Sequence, residues 1–252
     1  MSDHVPLASF SVGGESEQEL FLPSKVVQER AHCSTWEKYI DLYEHSINDP
    51  EKFWSTIADK FWFKRKWSAG NFLQYNFDHR KGPVFVRWMA DGVTNVCHNV
   101  LDRNIQLGLG ERVAYMWEGN EPGVNVRITY SELLSQVSKF ANVLKRKGVR
   151  RGDRVTIYLP MIPELPVVML ACARIGAVHA VVVSRQASIT STKRFLKSIC
   201  AQFGGYSAEA LSHRIMCTES KILITADGSY RATKAILLKH ITDKALMLCR
   251  EQ

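Results

Sequence analysis

Two basic residues near the end of the chain, Arg231 and Lys234, have the type and spacing that suit phosphate binding. They follow an apolar run at residues 222–225 and the turn pair Asp227-Gly228, so they stand just beyond a predicted strand. If a helix begins here, residues three apart face the same way, and the helix start adds free amides and its positive end. An arginine plane can also stack on an adenine ring. A solvated basic helix start has the same spacing, so the spacing alone leaves both interpretations open.

The other candidate residues have weaker patterns. The pair Gly204-Gly205, within the run FGGY, would let a ligand pass close to the backbone, although glycine pairs mostly mark ordinary turns. His179 lies in an apolar run and is predicted to be a core histidine, and Glu164 is predicted to be an acid at a helix start. No Ser/His/Asp or Cys/His arrangement typical of nucleophilic catalysis is recognisable. We therefore predict no catalytic residue and no metal ligand.

The elements that would position these residues form a strand–helix–strand unit. Residues 155–159 and 178–182 are short apolar runs, typical of strands buried in a parallel sheet. Between them a helix is predicted to start near residues 163–166 and to end at Gly176, because helices accept proline only in their first turn and often end at glycine. This order predicts a βαβ crossover and an α/β fold, with ligands at the carboxyl ends of the strands.

A second group of predicted helices lies nearer the N-terminus. Ser34 or Thr35 can cap the first of them. Its apolar face comprises Trp36, Tyr39, Ile40 and Tyr43, at i, i+3, i+4 and i+7. Stripes with this spacing are typical of core residues, so we predict that this face is buried. The run NDP at residues 48–50 then ends this helix and starts another.

A hairpin and a long helix are predicted in the middle of the chain. Residues 112–117 and 126–128 indicate two strands, joined by the turn-rich segment 118–123. Thr129 and Glu132 fit a capping box at the start of the next helix. The apolar face of that helix comprises Leu133, Leu134, Val137, Phe140, Ala141 and Leu144. Gly148 suits the left-handed position that follows a helix.

Composition bounds the classes of function. The formal net charge is +8, but Arg185, Lys193, Arg194 and Lys197 contribute half of it within residues 183–202. No pattern of alternating basic and aromatic residues suited to a nucleic-acid backbone is present, so nucleic-acid binding is not indicated. No apolar run approaches the ~20 residues of a membrane span, and the N-terminus lacks the features of a secretory or mitochondrial leader. We expect a protein of the cytoplasm, or of the cytoplasm and nucleus, with its six cysteines reduced.

Several runs of the sequence together resemble one enzyme family. They are GDRVTIYLPMIPELPVVMLACARIGAVHAVV from Gly152, FGGYSAEALSHRI from Phe203 and ILITADGSYRATK from Ile222. The runs NFLQYNFDHRKGPVFVRW and NVCHNVLDRN extend the similarity upstream, and together it covers residues 31–182 and 203–252. The chain resembles the N-terminal part of acetyl-CoA synthetases, which are AMP-forming members of the adenylate-forming ligases.

This resemblance implies a fold, a reaction and a ligand site. The fold would be a partial adenylate-forming-ligase N-terminal domain with a βαβ parallel sheet, preceded by a helical N-terminal region. The reaction would convert acetate, ATP and CoA through acetyl-AMP to acetyl-CoA, AMP and pyrophosphate, with Mg²⁺ required by the full-length family. In this family an R-x-x-[RK] stretch lines the site for the 3′-phosphoadenosine of CoA, and it matches Arg231, Ala232, Thr233 and Lys234 here. The family's F-G-G-F turn, beside the pantetheine arm, matches Gly204 and Gly205.

The resemblance also implies a domain organisation. A flexible extension is predicted at residues 1–30, an acetyl-CoA-synthetase-type N-terminal region at 31–110 and an incomplete AMP-binding α/β domain at 111–252. The sequence has no Ser/Thr/Gly-rich phosphate loop ending in Pro-Lys-Gly, so we expect the ATP and Mg²⁺ sites to be absent and the chain alone to be inactive. The alternative is a non-catalytic short isoform that binds CoA or a full-length subunit. Propionate and acetoacetate remain alternative acyl substrates, although the overall sequence resemblance favours acetate.

Residues 183–202 interrupt the resemblance between a strand and the FGGY turn. Connections of this kind usually have ~2–6 residues, so some twenty extra residues are hard to place in a tight turn. The segment begins with Val-Ser and ends with Gln, which GTRAGT and CAG can encode, so we predict a retained intron. The alternative is a genuine surface loop, since long loops are tolerated at modest entropic cost. In either case, we expect the translated segment to be a mobile excursion.

Overall fold

The computed structural model describes residues 23–182, 207–231 and 234–251. The chain divides into two compact units, Met1–Ala58 and Asp59–Gln252. The domain boundaries that the resemblance implies, after residues 30 and 110, stay a prediction. The hypotheses on residues 183–202 concern a segment outside the described residues. No helix in the described ranges is both long and apolar enough to cross a membrane.

The first unit contains the described helices α1 (Lys25–Arg30), α2 (Trp36–Asn48) and α3 (Pro50–Ala58). Thr35 caps α2 as predicted, because its hydroxyl accepts a hydrogen bond from the Lys38 amide at 3.2 Å. The Asp49 carboxylate accepts a hydrogen bond from the Lys52 amide at 3.2 Å, at the start of α3. The predicted break and restart at residues 48–50 are therefore confirmed.

The aromatic face of α2 is exposed, so the prediction that it is buried is wrong. Trp36 is 54% exposed, Tyr39 46% and Tyr43 51%. Their rings stack on one another, with centroid distances of 5.2 Å between Trp36 and Tyr39 and 6.1 Å between Tyr39 and Tyr43. Helical periodicity shows that apolar residues share a face, but it does not specify what covers that face.

The second unit is mixed α/β. Its described strands are β1 (Leu73–Asn76), β2 (Phe85–Trp88), β3 (Val113–Glu118), β4 (Asn125–Thr129), β5 (Arg154–Tyr158), β6 (Val178–Val181), β7 (Ile222–Thr225), β8 (Ser229–Arg231) and β9 (Lys234–Ile236). Its described helices are α4 (Arg103–Gln106), α5 (Tyr130–Arg146), α6 (Glu164–Ile175), α7 (Ala208–Thr218) and α8 (Leu238–Arg250), with a 3-10 turn at His79–Lys81 and a π-helical stretch at His98–Asp102. The pairs β1–β2, β3–β4 and β8–β9 are antiparallel.

A parallel sheet in the order β6–β5–β7 forms the centre of this unit. The ladder between β5 and β6 runs from Arg154 opposite Val178 to Ile157 opposite Val181, and α6 connects the two strands. Gly176 ends α6 in the left-handed conformation, at φ +73°, which glycine adopts without strain. The predicted α/β class and βαβ unit are therefore confirmed.

Helices pack on both faces of β5. Ile157 belongs to a core that includes residues of α5 and α6, whereas its neighbour Tyr158 belongs to a second core with residues of α7 and α8. This follows from the alternation of side chains along a strand. Both residues are almost fully buried, at 0% and 1% exposure. The sheet is therefore a middle layer whose strand ends are left to form a site.

The predicted capping box at the start of α5 is confirmed. The Thr129 hydroxyl accepts a hydrogen bond from the Glu132 amide at 3.2 Å, and the Glu132 carboxylate accepts one from the Thr129 amide at 2.8 Å. The buried residues of α5 are Leu133, Val137, Ala141 and Leu144, all on the predicted face. Gly148 follows the helix at φ +84°, as its left-handed role requires.

Candidate functional site

The candidate site lies at the carboxyl ends of β5 and β7. These strands end at Tyr158 and Thr225, which are neighbours in the parallel register. Open α/β sheets bind their ligands at this edge. From Thr225 the chain runs through Asp227 and Gly228 into the β8–β9 hairpin. The hairpin therefore originates where a ligand of this fold class is expected.

A hairpin, and not a helix start, contains the predicted cations. Arg231 in β8 is the register partner of Lys234 in β9, so the two residues lie directly opposite each other. The prediction that a helix begins here is wrong, since α8 begins only at Leu238. Ile236 packs against the second core, and Leu238 is fully buried in it, so tertiary packing fixes β9 before the chain turns helical. The opposed positions still bring one arginine and one lysine to the same short hairpin.

Gly228 allows the hairpin to fold back on its own base. A Cβ at this position would lie 2.9 Å from the backbone oxygen of Ile236, which is too close for a carbon atom. The Asp227 side chain accepts a hydrogen bond from the Gly228 amide at 2.8 Å, and the Asp227 carbonyl accepts one from the Lys239 amide at 3.0 Å. These bonds tie the base of the hairpin to the start of α8.

We therefore expect Gly228→Ala to displace the hairpin. The added methyl group would meet backbone and not the flexible end of a side chain. Overpacking of this kind should lower the free energy of unfolding by about 1–3 kcal/mol. Chemical denaturation should show this loss, and the mobility of the hairpin should rise in amide hydrogen exchange at Ala235 and Ile236. An alanine variant with the stability and exchange of the parent would contradict the close approach.

The loop between β3 and β4 also reaches this edge of the sheet. The Trp117 indole donates a hydrogen bond to the Met161 carbonyl, which follows β5, at 2.6 Å. The Asn120 side-chain amide donates to the Tyr230 carbonyl in β8 at 3.5 Å. The end of β3 thus contacts the connection after β5, and the β3–β4 loop contacts the hairpin and helps to position it.

Sequence reasoning missed the contribution of this loop. The run at residues 118–123 correctly predicted a turn between two strands, and the hairpin β3–β4 is confirmed. Asn120 and Tyr230 are separated by 110 residues, so no local pattern could pair them. The only signal was the tryptophan at position 117, whose N–H usually finds a partner when it is partly buried.

The hairpin presents positive charge and an aromatic ring to solvent. Lys234 is exposed, and its ammonium has no hydrogen-bond or ion-pair partner among the described residues. The Tyr230 side chain is 70% exposed. An unpaired ammonium can bind a phosphate oxygen, and an exposed ring can stack on a base. The predicted site residues Ala232, Thr233, Gly204 and Gly205 lie outside the described residues.

Two titratable side chains of the sheet, Tyr158 and His179, are uncharged at neutral pH. Burial raises the pKa of the Tyr158 hydroxyl above its ordinary value. Burial also lowers the pKa of His179, which lies half buried in β6, so its neutral form dominates at pH 7. The positive charge at this edge therefore comes from the hairpin and not from the strands.

Comparison with known proteins identifies the family. A sequence model described as AMP-binding enzyme matches residues 104–249, which is more than half of the chain. The chain belongs to this family. A second model, described as the acetyl-coenzyme A synthetase N-terminus, matches residues 39–100 of the chain.

Curated relatives of the chain include several acetyl-coenzyme A synthetases. That of Drosophila melanogaster is 43% identical over 232 residues, which cover 92% of this chain and 32% of the relative. The chloroplastic/glyoxysomal enzyme of Arabidopsis thaliana is 44% identical over 230 residues, or 91% of this chain and 28% of the relative. That of Halorhodospira halophila is 42% identical over 236 residues, or 93% of this chain and 32% of the relative. The chain thus spans about a third of the length of these relatives, and the predicted resemblance to the N-terminal part of acetate–CoA ligases is confirmed.

Proposed function

We propose that the whole protein ligates acetate to CoA at the expense of ATP, and that the β8–β9 hairpin binds the 3′-phosphate of CoA. The observation that supports this most is the pairing of Arg231 with Lys234 at the sheet edge of a chain whose relatives are named acetyl-coenzyme A synthetase. Arginine offers a planar fork of donors for phosphate, and lysine adds a point charge. Opposed positions on a hairpin let one phosphate meet both.

The surroundings of the hairpin favour an anionic ligand. The Lys234 ammonium is unpaired among the described residues, so binding a phosphate breaks no existing ion pair. The nearest acid along the chain, Asp227, uses its carboxylate to accept the Gly228 amide at the base of the hairpin. Tyr230, beside Arg231, is exposed and could contact an adenine ring. Gly204 and Gly205 belong to the same proposal as neighbours of the pantetheine arm.

ATP and Mg²⁺ are expected in the reaction of the whole protein. Among residues 23–182, 207–231 and 234–251, no group of three or more His, Cys, Asp and Glu side chains is arranged to hold a metal ion. We therefore assign no Mg²⁺ ligand to these residues. The contribution proposed for the described chain is to bind and orient CoA.

Calorimetric titration with CoA and with dephospho-CoA, which lacks the 3′-phosphate, tests this proposal. The variant Arg231→Gln plus Lys234→Gln should weaken CoA binding at least tenfold, because hydrogen bonds to charged groups contribute about 1.5–3 kcal/mol each. Binding of dephospho-CoA should change little. The matched control Lys64→Gln plus Arg127→Gln removes the same charges from exposed positions and should leave both affinities unchanged.

Two outcomes would contradict the proposal. One is equal binding of CoA and dephospho-CoA by the parent chain, which would mean that nothing recognises the 3′-phosphate. The other is an unchanged CoA affinity in the hairpin variant. Acetate-dependent exchange of pyrophosphate into ATP by the whole protein would separately test the ligase activity.

A further inference from the structure

A second basic site lies at the other end of the central sheet. A groove of about 650 Å³ is lined by Lys145, Arg146, Arg150 and Arg151 over an apolar floor that includes Val149. We call it the basic groove. Its residues follow α5 and precede β5, so it is at the amino-terminal edge of the sheet, whereas the β8–β9 hairpin follows the carboxyl end of β7.

The fold holds two of these arginines in place. A terminal nitrogen of the Arg150 guanidinium donates to the carbonyls of Lys145 at 3.0 Å and Val149 at 3.2 Å. The stem of Arg151 packs on Gly176, since a Cβ at position 176 would lie 3.1 Å from the Arg151 Cγ. A backbone bond of 2.9 Å from the Gly152 amide to the Gly176 carbonyl fixes this approach. The Arg150 guanidinium and the stem of Arg151 are therefore preorganised, so little of their side-chain freedom is lost on binding.

The charge of the basic groove is not neutralised within the described chain. No described residue that lines it is acidic, and Lys145, Arg146 and Arg151 have no ion-pair partner among the described residues. The nearby Asp153 carboxylate is already engaged, because it accepts hydrogen bonds from the Arg150 amide at 2.6 Å and the Lys221 ammonium at 3.0 Å.

The end of α5 explains only part of this charge. Lys145 and Arg146 lie in its last turn, where cations offset the negative end of the helix dipole. Arg150 also caps α5, because its guanidinium donates to the Lys145 carbonyl in the last turn. Arg151 comes after the helix has ended, so the dipole does not require it. A fourth cation, Arg151, beside Lys145, Arg146 and Arg150 therefore exceeds what capping needs.

We propose that the basic groove binds a compact oligophosphate anion. Guanidinium groups bind phosphate through paired hydrogen bonds, and several of them together suit a chain of phosphates. The volume lies within the ~300–1,000 Å³ that small-molecule sites occupy. No aromatic side chain lines the groove among the described residues, so the stacking platform of a single-stranded nucleic-acid site is missing there.

Titration with inorganic tripolyphosphate at constant ionic strength tests this proposal. The parent chain should bind one tripolyphosphate, and Lys145→Gln plus Arg151→Gln should weaken that binding at least tenfold. Glutamine keeps most of the Arg151 stem against Gly176, so the variant should retain the parent's melting temperature. The hairpin variant Arg231→Gln plus Lys234→Gln and the control Lys64→Gln plus Arg127→Gln should bind tripolyphosphate as the parent does.

Three results would overturn the proposal. The first is the absence of binding by the parent chain. The second is an unchanged affinity in the groove variant, or a loss in the hairpin variant instead, which would place the anion at the CoA site. The third is an equal response to sulfate at the same ionic strength, which would reduce the effect to screening of surface charge. Since CoA binding is measured separately at the hairpin, failure of one proposal leaves the other standing.

Discussion

Replacing Leu133 with alanine is expected to lower the free energy of unfolding by about 3 kcal/mol. Leu133 is 1% exposed and lies in the core that also includes residues of α6 and β5. Its surroundings are closed, with Val137 and Ile157 both at 0% exposure. The lost methyl groups therefore leave a cavity that rigid neighbours cannot fill by small movements.

Urea denaturation followed by circular dichroism would measure this loss. The matched control is Leu246→Ala in α8, which makes the same change within a helix at a side chain that is 38% exposed. Both variants replace leucine with alanine within a helix, so the change in helix propensity cancels when they are compared. The control should lose less than about 1 kcal/mol of unfolding free energy. Equal losses in the two variants would mean that the core around Leu133 is not closed as described.

The parts of the fold that were predicted correctly depend on local patterns. The capping box of Thr129 and Glu132 needs only residues three apart, and the turn at Gly176 needs only a glycine after an apolar helix. The strand–helix–strand order around α6 follows from apolar runs and prolines in one short segment. Such features can be predicted because their partners are close in sequence.

The parts that were wrong depend on partners far away in the sequence. The aromatic residues of α2 have helical spacing, yet burial requires a second surface, which periodicity does not identify. The segment after Gly228 has good helix formers, but the contact of Ile236 with the second core makes it a strand first. Tertiary packing overrides local propensity in the hairpin, whereas in α2 the helix forms as predicted and only the burial of its face is not specified by the pattern.

The resemblance implies which residues form the candidate site, and that assignment stays a prediction. Their relative geometry could not be predicted from the sequence. The resemblance indicated Arg231 and Lys234, and the register of the hairpin is what makes them opposite partners. The basic groove had a visible signal in the run KRKGVRR, yet its preorganisation depends on Gly176, which lies in a different turn. Charge is visible in a sequence, whereas the shape that concentrates it is not.

One long-range ion pair fixes the segment before α4 to the end of α6. The Arg174 guanidinium donates to both carboxylate oxygens of Asp102, at 2.7 and 3.0 Å, across 72 residues of sequence. The two side chains are only 30% and 19% exposed, respectively. The side-chain amide of Asn95 also donates to the Ala173 carbonyl at 2.9 Å, so the ion pair belongs to a small polar network. No local pattern predicts it.

Asp102→Asn should therefore lower the free energy of unfolding by about 2 kcal/mol at pH 7. This is somewhat less than the ~3–5 kcal/mol lost when a fully buried pair is broken. The substitution keeps the shape of the side chain but leaves the Arg174 charge partly buried without its counter-ion. The control Asp243→Asn breaks the pair with Lys239, whose side chains are 52% and 61% exposed. It should cost no more than about 0.5 kcal/mol, because exposed pairs contribute little.

The dependence on pH provides the sharper test of this pair. The hydrogen bonds from Arg174 hold the pKa of Asp102 below its ordinary value, against the opposing effect of burial, and the charge of His98 acts in the same direction. Since the folded pKa lies below the unfolded value of ~3.9, the pair stabilises the fold fully above that value, and the effect is lost as the pH falls through the folded pKa. The difference in unfolding free energy between the parent chain and Asp102→Asn should be constant from pH 7 to 5 and shrink below pH 4. A difference that stays the same down to pH 2 would show that the asparagine acts through packing and not through the lost charge.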